Sequence, residues 1–365
     1  MKVLFFLSDI SLRGGTERAC IAVCNELAKL GYHVFIFSVG GNIKKPAFPV
    51  HESIHIAGLG INHSGLKIRL LLPKIFLELR KFIKRNEIST LINVEVMACL
   101  FTFPFFLLPK KKLHYIVWEH FNYRVDLGLK QRTFFRKLAA KNADAIITLT
   151  QKDRSMWMDN LKPKAQVVTI YNPSPFPLSD SPYQSHSKSI LAVGRYTYQK
   201  GYDLLIESWK ILQEMGNEQV SGWHLSIIGN GEDKPAIENL IDQLAVADSV
   251  SLIPNTNSIS TYYQNASFLC MSSRFEGLPM VLIEAQSHGL PIVAFDCLTG
   301  PADIIIEGSG YLCQALDTDC LANKMLKMIT NVEDRKNMSD QAKLASNRFA
   351  PEEIVKTWDS FLQSL

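Results

Sequence analysis

The sequence predicts an α/β protein of two parallel-sheet domains facing a cleft, and three observations carry that reading. Short apolar, β-branched runs alternate with amphipathic helical stretches from one end of the chain to the other, the pattern of strand–helix–strand units. The 365 residues exceed one ordinary core and suit two domains of ~100–200 residues each. Between two sets of such units, residues 172–182 hold four Pro and three Ser in eleven positions, a composition that sustains neither a helix nor a central strand.

In chain order, the first half places strands at 2–7, 33–38, 54–56, 90–94, 114–118, 145–149 and 167–170. The opening run has one basic residue, Lys2, and five apolar ones before polarity returns at Ser8. That is shorter than the ~7–15 apolar residues of a signal sequence, so it reads as a strand. The second half places strands at 189–193, 224–228, 249–253, 267–271, 291–295 and 310–313. The last segment, 351–365, starts with Pro351 at a plausible first helical position and spaces Ile354, Trp358, Phe361 and Leu362 as one helix face. The resulting domains are 1–172, a linker at 173–188, and 189–350, with 351–365 returning to the first domain.

Composition narrows the class. With 47% hydrophobic and 20% charged residues the chain is an ordinary soluble globular protein. Seven Cys without C-x-x-C spacing fit neither a disulfide framework nor a zinc cluster, which points to a reducing compartment and a cytoplasmic location. The net charge of +4 hides an asymmetry: residues 1–180 carry 26 Lys/Arg against 13 Asp/Glu, and the remainder 13 against 22. The first half should meet something anionic. Its basic residues are interleaved with long aliphatics rather than aromatic platforms, which favours an anionic membrane surface over nucleic acid. The stretch 66–86 mixes Lys67, Arg69, Lys74, Arg80, Lys81, Lys84 and Arg85 with Leu70, Leu71, Ile75, Phe76, Leu79, Phe82 and Ile83, a basic amphipathic pattern. The uncharged run 96–109 ends in Lys110, Lys111 and Lys112, falls short of the ~20 residues that span a bilayer, and contains Pro104. Both stretches suit peripheral docking on the inner face of the plasma membrane, or simply covering the sheet of the first domain.

The most informative motif follows an apolar strand and opens a helix: Arg274, Phe275, Glu276, Gly277, Leu278 and Pro279, then a helical run containing Glu284. Pro279 suits the first helical turn, which leaves Glu276 in the loop at the helix N-terminus. Free N–H groups there suit phosphate, and a carboxylate accepts two hydroxyl donors from a sugar or ribose. Two acids around one anion site fit a nucleotide sugar better than a bare phosphate. Earlier, Gly194, Arg195, Lys200 and Gly201 form a strand-to-helix loop in which a guanidinium and an ammonium would neutralise a diphosphate leaving group.

These elements, together with the Gly229-Asn230-Gly231 turn and the E-x7-E spacing of Glu276 and Glu284, resemble the family 4 glycosyltransferases. These are retaining enzymes of two Rossmann-like domains, the GT-B fold. The resemblance is strong over about residues 188–310 and looser in the first half. It implies that Arg195 and Lys200 hold the diphosphate, Glu276 the donor-sugar hydroxyls and Glu284 the ribose hydroxyls. Gly229, Gly231, Gly277 and Leu278 belong to the same donor site. Thr299, Gly300, Pro301 and Asp303 resemble the family's Gly-Pro-x-acid loop, although an ordinary strand–helix turn reads almost the same. In the first half, Gly14 and Gly15 follow strand one and let backbone approach a ligand at a helix start; the family uses this loop beside donor phosphate and acceptor, while a ligand-free tight turn is the alternative. His120 lies just past the carboxyl end of a strand, where ligands of open α/β sheets bind. A lone His is often a satisfied structural residue, but the resemblance implies an active-site His touching the donor sugar near the bond that breaks.

Two patterns point elsewhere. Asp317-Thr318-Asp319 has the D-x-D form of metal-dependent glycosyltransferases, but it precedes a helical stretch and reads as its cap. The Gly229 turn fails the dinucleotide fingerprint because its sixth position is Lys234. The expectation is therefore a metal-independent, cofactor-free retaining glycosyltransferase with His120, Glu276, Arg195 and Lys200 as catalytic residues. It would move a hexose or N-acetylhexosamine from a nucleotide-diphosphate sugar, read as UDP, to a glycan or lipid-linked glycan of a surface polysaccharide. Its rivals are a nucleotide-sugar epimerase on the same fold and a non-catalytic nucleotide-sugar-binding protein.

Overall fold

A computed structural model describes residues 1–61, 66–107 and 113–365. The chain divides into two compact units, Met1–Pro175 with Pro351–Leu365, and Phe176–Ala350. The first holds β1 (Lys2–Asp9), β2 (His33–Gly40), β3 (His55–Gly58), β4 (Thr90–Val94), β5 (His114–Trp118), β6 (Ala145–Thr148) and β7 (Gln166–Thr169). They form one sheet in the order β3-β2-β1-β4-β5-β6-β7, parallel throughout. The second holds β8 (Ser189–Val193), β9 (His224–Ile228), β10 (Val250–Ile253), β11 (Phe268–Met271), β12 (Ile292–Asp296) and β13 (Gly310–Gln314). Its order, β10-β9-β8-β11-β12-β13, is again all parallel.

Parallel sheets covered on both faces need apolar residues at nearly every position, which is why the strands read as continuous apolar runs rather than alternating ones. All five residues of β4 are buried, as are Val3 to Leu7 of β1. Leu4, Phe6, Phe37, Leu91, Val117 and Ile146 centre one core, and Ile190, Leu205, Trp209, Leu225, Phe268 and Met325 the other. In both sheets the strand order reverses beside the first strand, between β1 and β4 and between β8 and β11. Loops leaving the carboxyl ends of such strands splay apart and leave room for a ligand. The loops with Gly14 and with Arg195 leave β1 and β8, and Glu276 lies on the loop after β11.

The terminal helix, Pro351–Gln363, belongs to the first unit and buries Ile354, Val355, Trp358, Phe361 and Leu362. The Trp358 ring lies 4.8 Å from that of Trp118 at the end of β5 and 6.0 Å from Phe5 of β1. Tyr32 fastens the helix by donating to Asp359 at 2.6 Å. Each such fully buried apolar side chain contributes ~1.5–3 kcal/mol.

The helix Leu66–Asn86 buries Ile75, Leu79 and Ile83 in the first core. Its apolar face thus covers the sheet, while Arg69, Lys74, Arg80, Lys81, Lys84 and Arg85 face outward with exposed Leu70 and Leu77 among them. Phe101 and Phe105 are core residues as well, and Lys110 to Lys112 lie outside the described residues. Among the described residues, no helix is long and apolar enough to cross a membrane.

Candidate functional site

In the second unit the site is built by loops that leave β8, β11 and β12. The loop after β8 turns through Gly201, whose φ of +62° and a virtual Cβ only 2.3 Å from the Ser272 carbonyl admit glycine alone. That close approach lets the loop be laced to its neighbour. Ser272 Oγ donates to the Lys200 carbonyl at 3.0 Å, and the Arg274 N–H donates to the Gln199 carbonyl at 2.8 Å. The side chains meet as a consequence. Lys200 Nζ lies 2.7 Å from Glu276 Oε1, and Gln199 Nε2 donates to Glu276 Oε2 at 3.1 Å. The pair is largely withdrawn from water, with side chains 17% and 7% exposed.

Glu276 is held from the other side by the loop after β12. Its N–H donates to the Leu298 carbonyl at 3.0 Å and its carbonyl accepts from the Thr299 N–H at 2.9 Å, while Thr299 Oγ1 donates to Gly277 at 2.7 Å. The Thr299–Asp303 segment therefore braces the Glu276 loop through main-chain bonds. Leu278 is buried behind it, and Pro279 is the N-cap residue of the helix Met280–Ser287 rather than its first helical residue.

Glu284, half-buried in that helix, accepts from Tyr263 Oη at 2.8 Å. Tyr263 is itself stacked on His288, ring centres 5.1 Å apart, and His288 contacts the Glu284 carbonyl at 2.8 Å and Ser260 Oγ at 2.7 Å. Burial lowers the His288 pKa, so this brace is uncharged at neutral pH. Gly229 permits a near approach of its own: a Cβ there would sit 1.9 Å from the Gly194 carbonyl, and one at Gly231 2.1 Å from that of Tyr196. These two glycines let the β9 turn close against the β8 loop.

Arg195 stands apart from this cluster. It pairs with Glu232 at 3.1 Å, with side chains 72% and 61% exposed, an arrangement that contributes little to stability and leaves the guanidinium at a small cost to redirect. Sequence reading did not single out Gln199, or the fork of Arg274 on Asp203 at 2.8 and 2.6 Å with its guanidinium 4.2 Å over the Tyr198 ring. Nothing in local spacing announces a contact between residues 71 positions apart.

In the first unit Gly14 is the N-cap of the helix Gly15–Lys29 and makes no side-chain cap bond. Beside it, burial foremost, with the Asp9 charge adding, raises the Glu17 carboxyl above its ordinary range. His120 follows β5 and is buried, its ring tilted against Trp118 at 4.6 Å. Burial pushes its pKa down to about 3, so the imidazole is neutral at physiological pH. Its Nε2 has no hydrogen-bond partner among the described residues. Most buried polar atoms in folded proteins have a partner, so this one stands out in the segment after β5.

Asp317 caps the helix Thr318–Thr330, with Oδ1 accepting from the Cys320 N–H at 2.8 Å. Among the described residues, no group of three or more His, Cys, Asp or Glu side chains is placed to hold a metal ion. The second unit thus presents an ammonium, a carboxylate and the start of the helix Tyr202–Val220 at one sheet end, with a second carboxylate on the following helix. That combination suits an anion carrying hydroxyl groups.

Residues 180–345 match the family model for glycosyl transferases group 1, and residues 13–174 match the model for glycosyltransferase family 4. An uncharacterized glycosyltransferase of Haemophilus influenzae is 34% identical over 362 residues, covering 99% of each chain. The amylovoran biosynthesis glycosyltransferase AmsD of Erwinia amylovora is 30% identical over 374 residues, again 99% of each. Among solved structures, Anabaena HepE in complex with UDP superposes with a TM-score of 0.78 at 16% identity over the full length of both chains.

Proposed function

This chain belongs to the family 4 glycosyltransferases, and from that premise we propose that it transfers a hexose or N-acetylhexosamine from a UDP-sugar to a glycan or lipid-linked glycan acceptor in surface polysaccharide synthesis. The observation that carries the reading is the Lys200–Glu276 pair at 2.7 Å, set at the carboxyl end of the second sheet beside a helix start. The ammonium offers charge to a departing diphosphate, and the carboxylate offers acceptor oxygens to sugar hydroxyls. UDP as the leaving group is supported by a structural neighbour solved with UDP, and the polysaccharide setting by the relative in amylovoran biosynthesis.

In this reading the bond between the anomeric carbon and the phosphate oxygen breaks while the acceptor hydroxyl attacks from the same face. The acceptor proton passes to the departing diphosphate oxygen, so configuration is retained without a protein nucleophile. Negative charge grows on the leaving group, and Lys200, Arg195 once released from Glu232, and the N–H groups at the start of the Met280–Ser287 helix beside Glu276 stabilise it. These positive groups take the place of a divalent ion. Glu276 orients the donor sugar, Glu284 accepts the ribose hydroxyls with Tyr263 holding it in place, and neutral His120 offers Nε2 to a sugar hydroxyl. The loops of Gly14 and Gly15, Gly229 and Gly231, and Gly277 and Leu278 bring backbone up to the donor.

The outward basic face of the helix Leu66–Asn86, with exposed Leu70 and Leu77, supports a peripheral position on an anionic cytoplasmic membrane, where a lipid-linked acceptor would be met. A screen of UDP- and GDP-sugars against membrane-extracted acceptor, reading nucleoside diphosphate release, tests the proposal. Release with one UDP-sugar that is lost in Glu276→Ala supports it; no release with any donor contradicts it.

A further inference from the structure

His120 lies on a segment, 119–125, without regular secondary structure, and such a segment must find partners for its backbone groups outside any helix or strand ladder. Here buried side chains supply them. Glu119 Oε1 accepts from the N–H groups of His120 at 3.0 Å and Phe121 at 3.1 Å. Arg136 donates to the carbonyls of Asn122 at 2.9 Å, Tyr123 at 2.5 Å and Val125 at 3.1 Å, and through Nε to Glu119 Oε2 at 2.9 Å. Asp153 Oδ1 accepts from the Tyr123 N–H at 2.6 Å. Arg132 lies 4.3 Å over the Phe121 ring and joins Glu95 at 2.5 Å and Glu119 at 3.6 Å.

Glu119 and Arg136 have side chains 0% and 2% exposed. Taking such charges out of water is expensive, and well-packed apolar residues of similar volume often stabilise a fold as well or better. Three carboxylates and two guanidiniums around one loop are therefore poorly explained by stability alone. What they do with high definition is fix main-chain positions, and the side chain they deliver is an imidazole whose Nε2 has no partner among the described residues. We infer that Glu119 and Arg136 are positioning residues for transfer: they clamp the main chain of residues 120–125 so that His120 presents Nε2 at one fixed place. The inference rests on the reading of His120 as a donor-sugar contact.

A double-mutant cycle on the full-length protein tests it. Glu119→Gln keeps the shape and can still accept from the His120 N–H, but it sets an amide against Arg136 without the charge. Transfer rates, donor KM, UDP affinity by calorimetry and thermal melting are measured for Glu119→Gln, His120→Ala and the double variant. Misplacing a reacting-site group by about 1 Å costs ~100-fold, so kcat is expected to fall about 10- to 100-fold in Glu119→Gln while UDP affinity, set in the other unit, holds. Added to His120→Ala, the same change should cost less than about twofold, because residues acting through one another are not additive. Where Glu119→Gln proves too unstable to assay, Arg136→Lys, which keeps the charge and loses the fork, runs through the same cycle. Independent, multiplicative losses would overturn the inference and leave His120 in place. Unchanged transfer in His120→Ala would instead overturn the reading of His120 itself.

Discussion

Replacing Glu276 by Gln should tighten UDP binding while it abolishes most transfer. Glu276 holds the Lys200 ammonium at 2.7 Å with both side chains largely buried. A diphosphate must therefore compete for that ammonium and settle near a carboxylate of its own sign. A charge-assisted hydrogen bond of this kind has a net value of about 1.5–3 kcal/mol. Freeing roughly 1 kcal/mol of it for the ligand corresponds to about fivefold tighter UDP binding. Lys200→Ala has the opposite sign: it removes the bond to diphosphate, while the Gln199 amide still donates to Glu276 at 3.1 Å, for a loss of about 10- to 150-fold in UDP affinity. Calorimetric titration of UDP into both variants at low ionic strength measures these terms, and turnover of the UDP-sugar measures the loss of sugar orientation in Glu276→Gln. Weaker UDP binding in Glu276→Gln would refute competition for Lys200, and unchanged binding in Lys200→Ala would remove Lys200 from the diphosphate site.

Three further outcomes are expected. Transfer should persist in excess EDTA, because side-chain cations serve the leaving group; abolition by EDTA with rescue by Mn²⁺ would bring Asp317 and Asp319 back into the site. In liposome flotation the protein should bind phosphatidylglycerol vesicles at low salt and neutral ones poorly, and changing Lys81, Lys84 and Lys110 to Lys112 to Gln should weaken binding by ~1 kcal/mol for each basic residue in contact; indifference to lipid charge would leave those stretches as core cover. Burial and the neighbouring Glu119 raise Glu95 to about 7 despite Arg132, as expected where three buried carboxylates share two guanidiniums. Its folded pKa exceeds its unfolded one, so it stabilises the fold at low pH and that contribution is lost as pH rises through 7. The melting temperature of Glu95→Gln should accordingly change less between pH 6 and pH 8 than that of the wild type; equal changes would contradict the shift.

The strands were legible because two-sided burial writes itself into the sequence as uninterrupted apolar runs, and the Pro-rich stretch at 172–182 marks where the units part. The glycine-bearing loops of the second unit were legible for a related reason. Gly201, Gly229 and Gly231 stand where a Cβ would meet a backbone carbonyl within about 2.3 Å, and such positions leave a glycine signature. What stayed hidden are contacts between distant residues. Lys200 and Glu276 lie 76 positions apart, and nothing in the spacing of their two motifs announces the ion pair. Arg195 carries the same motif signature but stands on the surface with Glu232, since a motif gives identity and not side-chain direction. The Glu95–Arg132–Glu119–Arg136 network was not seen, because charged residues on a helix such as Lys130–Asn142 read as solvent-facing by composition. In Leu66–Asn86 periodicity gave the amphipathic character, and the structure shows what the apolar side covers.

The measurement that tests the account most directly compares the fate of a radiolabelled UDP-sugar with and without membrane-extracted acceptor. The account predicts label in the lipid-extractable or glycan fraction, matched by stoichiometric UDP release, when acceptor is present, and the donor unchanged when it is absent. Conversion of the UDP-sugar to another UDP-sugar without acceptor would identify an epimerase, and UDP binding without turnover under any acceptor would identify a binding protein; either result contradicts glycosyl transfer.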